Sequence, residues 1–189
     1  MEEKQWGNPS PIGLGALGLV TVLFGLMLGG HVPPANMAVV AAFLFAGALA
    51  QIITGIVDLK RGDTVAGCLM TTFGCLFMVG PSLTFLFALL KLGTPAPMLG
   101  YINIYLGLLL GIYMIPFIRA PWMMFIIAPI GMAALIMVGL AELGYHAFAQ
   151  PASIAFFVFT FWAFYMAAAA LAGAVGIKLP LGRAIAPMK

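Results

Sequence analysis

Residues 9–29, PSPIGLGALGLVTVLFGLMLG, hold no ionisable side chain over twenty-one positions. At a rise of about 1.5 Å per residue such a stretch is about 31 Å long as a helix, the thickness of a bilayer's hydrocarbon core. Its start is equally marked. Asn8 can cap a first turn, and Pro9 and Pro11 at first-turn positions remove only N–H groups that lack intrahelical partners anyway. Upstream stand Glu2, Glu3 and Lys4 in place of a basic n-region and a small-residue cleavage site, so the stretch reads as a retained span and no signal peptide is expected.

Five further stretches of similar length and polarity follow. The expected fold is all-α, a six-helix transmembrane domain over residues 1–189, with spans near 9–29, 37–57, 65–90, 97–118, 121–141 and 151–175. Apolar residues make up 64% of the chain and charged residues 7%, against roughly a quarter charged in a soluble domain. Six spans leave only short loops, so no water-soluble domain is expected and function is sought inside the bilayer.

With six spans both termini share one side. That side collects Lys4, Lys60, Arg61, Arg119, Lys178, Arg183 and Lys189, and the other holds only Lys91. The asymmetry predicts cytoplasmic termini, with a prokaryotic cytoplasmic membrane as the default location. It accounts for the basic pI without nucleic-acid binding; basic residues beside spans bind anionic lipid headgroups.

Gly18, Gly25 and Gly29 form a small-residue stripe suited to close helix approach, and Ala163, Ala167, Ala170 and Ala174 do the same on the last span. The aromatic side chains around that alanine face, Phe156 to Tyr165, are expected against lipid or a neighbouring subunit. Pro81 and Pro129 sit well inside their spans. Each denies a hydrogen bond to the carbonyl four residues earlier, Phe77 and Phe125, so kinks beside a cavity are expected. Cys68 and Cys75 lie two helical turns apart and cannot bridge within one helix.

Gly13, Gly15 and Gly18 spell the G-x-G-x-x-G pattern of a dinucleotide fold, but inside an apolar span the preceding strand and the following acidic residue are missing. His31 and His146 fall in loops without cysteine partners, which gives no metal or haem site. No cofactor is expected, and no enzyme. The acidic residues Glu2, Glu3, Asp58, Asp63 and Glu142 all lie at span ends or outside them, none at the bilayer midplane. Proton-driven carriers generally need an intramembrane ionisable group, so a passive pathway is the simpler expectation.

The polar candidates within the spans are neutral. Gln51 and Thr54 share a face of the second span, and Thr71 and Thr72 lie together on the third. With Tyr105 they form the expected lining of a narrow pathway for a small polar solute. Hydroxyls, an amide and carbonyls suit a neutral acid better than a naked anion. Lys91, with His31 and His146 if protonated, would bias the outer mouth toward anions.

Asn8, Pro9, Ser10, Pro11, Ile12, Gly13 and Leu14 resemble the N-P-x-P-x-G-L signature of the acetate uptake transporter family, also called succinate-acetate permeases. Ala50, Gln51, Ile52, Gly55, Asp58, Lys60, Gly62, Thr64 and Gly67 look like that family's second helix and following loop. Tyr105 with Leu106, Tyr165, and the run Leu179 to Arg183 extend the similarity. The resemblance implies six helices per subunit, a homo-hexamer, one pathway through each protomer, and acetate or other monocarboxylates as substrates, with succinate accepted by some members. It also implies a hydrophobic constriction of Phe, Tyr and Leu, matched here by Leu17, Phe73 and Ile130. Two rival readings remain: a urea or short-amide channel, which also needs an uncharged lining, and a membrane sensor or assembly protein without a pore.

Overall fold

The structure, a computed structural model, describes residues 6–93 and 97–186. Glu2, Glu3, Lys4 and Lys189, used in the charge reading, lie outside them. Six helices are long and apolar enough to cross a membrane: α1 Ser10–Leu28, α2 Met37–Lys60, α3 Thr64–Leu89, α4 Met98–Phe117, α5 Trp122–Glu142 and α6 His146–Ala174. No strand occurs among the described residues; Pro121 and Ala184 make one isolated bridge.

Each start and stop has a local cause. The Asn8 side-chain oxygen accepts the Ser10 N–H at 3.0 Å, and Pro11 occupies the first turn of α1. Gly62, at φ +84°, lets the chain reverse between α2 and α3, and Asp63 caps α3 by accepting the Ala66 N–H. α2 runs past the expected end at residue 57 because Asp58 stays helical and fully buried, paired with Arg61 at 3.2 Å. α6 begins earlier than expected, with a 3-10 turn at His146–Phe148, and its α-helical part starts at Ala149, so Pro151 falls in the first α-helical turn, where a missing N–H costs nothing.

The two internal prolines act differently. Ahead of Pro81, α3 widens into a π-helical stretch, Gly74–Val79, in which the Gly80 N–H reaches back to the Cys75 carbonyl. α5 is interrupted at a single residue, Ile126, which keeps helical dihedrals (φ −61°, ψ −25°) and donates its N–H to the Trp122 carbonyl; Pro129 follows three residues on, inside the span, and denies a hydrogen bond to the Phe125 carbonyl.

The helices form a ring. α1 packs chiefly on α6 and on α2, α2 on α3, α4 on α5 and α5 on α6, with a thin seam between α3 and α4. Glycines set the close crossings. A Cβ on Gly55 would strike the Thr71 hydroxyl and the Gly67 carbonyl, and one on Gly139 the Gly100 carbonyl at 2.5 Å. The glycines of α1 serve α6: the Phe164 ring lies over Gly18 and the Phe157 ring over Gly25. The aromatic side chains of α6 are therefore divided. Phe161 faces outward and Phe164 lies partly exposed across α1, whereas Phe156 and Phe159 point into the bundle, against the expectation that all lie outside.

Candidate functional site

The ring encloses a cavity of about 320 Å³ that opens at the end carrying both described chain ends. Its mouth is formed by Asn8 and Ser10 at the start of α1, Asp63 before α3, and Leu181 from the segment after α6. That segment is pinned in place, since the Trp122 N–H donates to the Arg183 carbonyl at 3.0 Å and the Tyr165 hydroxyl to the Pro180 carbonyl at 2.6 Å. Behind the mouth the Arg61 guanidinium donates to Asn8 at 3.4 Å and to Asp58 at 3.2 Å.

Helical periodicity decides which side chains line the interior. α1 contributes Leu14, Leu17 and Thr21, α3 contributes Met70, Phe73 and Phe77, α5 contributes Ile127, Ala128, Gly131 and Leu135, and α6 contributes Phe156, Phe159, Trp162 and Met166. These spacings of three and four residues trace one face of each helix. α2 lies behind α1 and α3 and reaches the cavity through a single long side chain, Gln51.

At the deep end Phe77 and Phe156 stack with ring centroids 6.2 Å apart. Phe24 backs both, at 5.2 and 5.7 Å. Among the described residues the α1, α3 and α6 walls stop at Thr21, Phe77 and Phe156, so the aromatic group forms a hydrophobic floor.

Polar chemistry in the interior is sparse. Thr21 and Thr160 hydroxyls lie 2.9 Å apart, and both have backbone acceptors on their own helices within 3.1 Å. Gln51 is 1% exposed; its Nε2 lies 3.5 Å from the Met70 thioether and its Oε1 has no hydrogen-bond partner among the described residues. Asp63, at the mouth, is the ionisable side chain on the described wall.

The residues singled out in the sequence separate accordingly. Gln51, Leu17 and Phe73 line the cavity, together with Asn8 and Leu14 of the signature. Pro9, Pro11 and Gly13 shape the start of α1 instead, and a Cβ on Gly13 would sit 2.8 Å from Thr54 Cγ2. Thr54 is buried on the α1–α2 contact, its hydroxyl 3.5 Å from the Pro9 carbonyl. Thr71 is wedged against Gly55 in the α2–α3 crossing. Thr72 spans the α3–α4 seam to the Tyr113 hydroxyl at 3.0 Å. Tyr105, 58% exposed, is on the outer surface of the protomer. Ile130 lies between the α5 positions that face the cavity, one residue off that face. Thr54, Thr71, Thr72, Tyr105 and Ile130 are thus not on the cavity wall, because their helical phase turns them toward neighbouring helices or outward. Thr21, Phe77 and Phe156 are on it and were not singled out; the only sequence signal for them is their three- or four-residue spacing from Leu17 or Phe73, or among the aromatics of α6.

Comparison with known proteins agrees with this architecture. The solved structure described as the bacterial acetate channel SatP superposes with a TM-score of 0.85 over 94% of this chain and 99% of that one, at 23% identity, a likeness of fold. The Succinate-acetate/proton symporter SatP of Escherichia coli is 31% identical over 109 residues, 57% of this chain and 56% of that protein, so the match spans little more than half of the relative. The Meiotically up-regulated gene 86 protein of Schizosaccharomyces pombe is 36% identical over 75 residues, 39% of this chain and 24% of that protein. The relatives with stated activities are a symporter and a channel, not enzymes, and the chain is a multi-pass membrane protein. The resemblance read from residues 8–14 is borne out: with residues 1–177 matched by the profile of the GPR1/FUN34/yaaH family, the chain belongs to that family.

Proposed function

We propose that this protein is a channel or facilitator for acetate and related short-chain monocarboxylates, with one pathway through each protomer. The observation that carries the reading is the cavity that runs from Asn8 and Ser10 past Gln51 and Thr21 to the Phe77–Phe156 pair. Its size suits a small solute, its wall is apolar with a few placed polar groups, and such sites bind small molecules by enclosure plus orientation. Family membership and a relative named for acetate and succinate support the substrate class, and set this reading ahead of a urea or short-amide channel and of a non-transporting sensor.

The pathway residues in this reading are Asn8, Leu17, Thr21, Gln51 and Phe73, with Phe77 and Phe156 as its narrowest point. A hydrophobic constriction opposes a hydrated ion by dewetting. The protein assembles as a homo-hexamer in the cell membrane, its outer faces against lipid and sister protomers, with the basic end that carries Lys60, Arg61, Arg119, Lys178 and Arg183 in the cytoplasm. The test is labelled acetate uptake into proteoliposomes against protein-free liposomes. Protein-dependent flux that excess acetate blocks is the expected result; none, with the protein shown to be folded, would refute the reading.

A further inference from the structure

Among the described residues Gln51 is the one cavity-lining side chain with a buried polar atom left without a hydrogen-bond partner. A carboxamide offers an acceptor and two donors in one plane. Here the acceptor, Oε1, is buried without a partner among the described residues, and the donor end meets only a thioether sulfur at 3.5 Å, a weak acceptor. An unmade hydrogen bond on a buried polar atom is costly. Of the buried hydroxyls nearby, those of Thr21 and Thr160 are satisfied within the protein, whereas that of Thr71, packed against Gly55 away from the cavity wall, has no partner among the described residues.

The charge around this amide discriminates between solutes. Ionisable side chains facing the cavity from the described elements are Asp63 at the mouth and, behind it through Asn8, the Arg61–Asp58 pair at the end of α2. The interior wall carries no Lys, Arg or His among the described residues. A carboxylate arriving at Gln51 would find one donor, no cation, and an Oε1 lone pair facing its own negative oxygen. An undissociated carboxylic acid presents the complement: its O–H donates to Oε1 while its carbonyl accepts from Nε2. A primary carboxamide offers the same pair, an N–H and a carbonyl in one plane.

We infer that Gln51 is a docking site for a planar, uncharged donor–acceptor pair, so that the cavity takes carboxylic acids in their neutral form and takes small primary carboxamides as a second class of solute. The inference rests on the proposed pathway and names the species that uses it. The carboxylate takes up its proton in the source compartment and releases it in the receiving one, so each crossing moves one proton and one carboxylate with no net charge.

The experiment uses the full-length protein in proteoliposomes, with labelled acetate and labelled acetamide measured against protein-free vesicles across a pH series and under an imposed potassium diffusion potential. Protein-dependent acetate flux should fall about tenfold per pH unit above the acid's pKa, near 4 to 5 for a simple carboxylic acid. Acetamide flux should be protein-dependent and flat with pH, and neither should respond to the potential. Gln51→Leu should lower both fluxes about tenfold, the loss of two hydrogen bonds, at unchanged yield of folded oligomer. Acetate flux that follows the potential, or acetate flux without acetamide flux, overturns the inference and leaves the acetate pathway standing. No protein-dependent flux of either solute overturns the pathway itself. The wild-type arms decide the matter even if the variant fails to fold.

Discussion

The rings of Phe77 and Phe156 stack 6.2 Å apart at an interplanar angle of 22°, and they join α3 to α6 across the floor of the cavity. Leu17 and Phe73, the positions that the family resemblance assigns to a constriction, line the open part nearer the mouth. If the aromatic floor limits passage, Phe156→Leu should raise acetate flux severalfold and admit longer acids, whereas Phe73→Ala should widen a region that is already open and change size selectivity little. Uptake of a labelled series of increasing chain length reads this directly. Greater tolerance of long acids in Phe73→Ala than in Phe156→Leu would move the narrow point up to the Leu17–Phe73 level.

The α3–α4 seam gives a prediction of the opposite kind. Thr72 and Tyr113 share a hydrogen bond of 3.0 Å there, and the Phe73 and Tyr113 rings meet edge to face at 6.3 Å. Tyr113→Phe removes the bond and keeps the ring, so it should destabilise the protein by about 1 kcal/mol. Acetate flux per folded protomer should not change. Thermal unfolding in detergent checks the first statement and vesicle uptake the second; a flux loss without a stability loss would return Thr72 to the pathway.

Close helix crossings are the features most sensitive to substitution. Gly55 and Gly67 place α2 and α3 backbone against backbone, and a Cβ on Gly67 would lie 2.6 Å from Leu59 Cγ and 2.9 Å from the Gly55 carbonyl. A carbonyl cannot rotate away as a side chain can, so Gly55→Val should abolish most of the folded yield, measured by gel filtration after membrane extraction. Gly15, with open space around its would-be Cβ, is the matched control, and Gly15→Ala should fold normally.

How much of this was legible in the sequence follows from the same physics. Span length and charge exclusion are bulk requirements of the bilayer, so residues 9–29 announced α1, and the Lys and Arg distribution is the basis of the proposed cytoplasmic termini. Helical phase was not legible, because these helices are apolar all round and lipid is as apolar as a core. Nothing in the composition of α2 separates Gln51, which reaches the cavity, from Thr54, three residues on, which seats against Gly13 and Pro9. On α5 the proline signal at Pro129 was clear, but it does not reveal which face turns inward: Met124, Ala128, Gly131 and Leu135 keep one three- and four-residue register along the helix, and Ile130 falls off the cavity face that Ile127 and Gly131 share. Asp58 looked like a loop residue by its charge, and only the structure places it fully buried beside Arg61.

That buried carboxylate makes the sharpest remaining test. A carrier that couples to protons through its own side chains would need Asp58, Asp63 or Glu142, the acidic residues among those described. Asp58 sits behind the mouth with one oxygen on Arg61, Asp63 caps α3, and Glu142 accepts from Asn103 at 2.8 Å between α5 and α4. Asp63 shares the cavity wall with Gln51 but stands at the mouth, Asp58 and Glu142 are not on that wall, and a neutral acid carries its own proton. Asp58→Asn, Asp63→Asn and Glu142→Gln preserve shape and, at residue 63, the helix cap, since Asn caps as well as Asp. Each should keep acetate flux within about twofold of wild type and leave its pH profile unmoved, because the titrating group is the solute. Vesicle uptake over the same pH series decides it: a profile that flattens in any one of the three would identify that carboxylate as the coupling group and assign the proton to the protein.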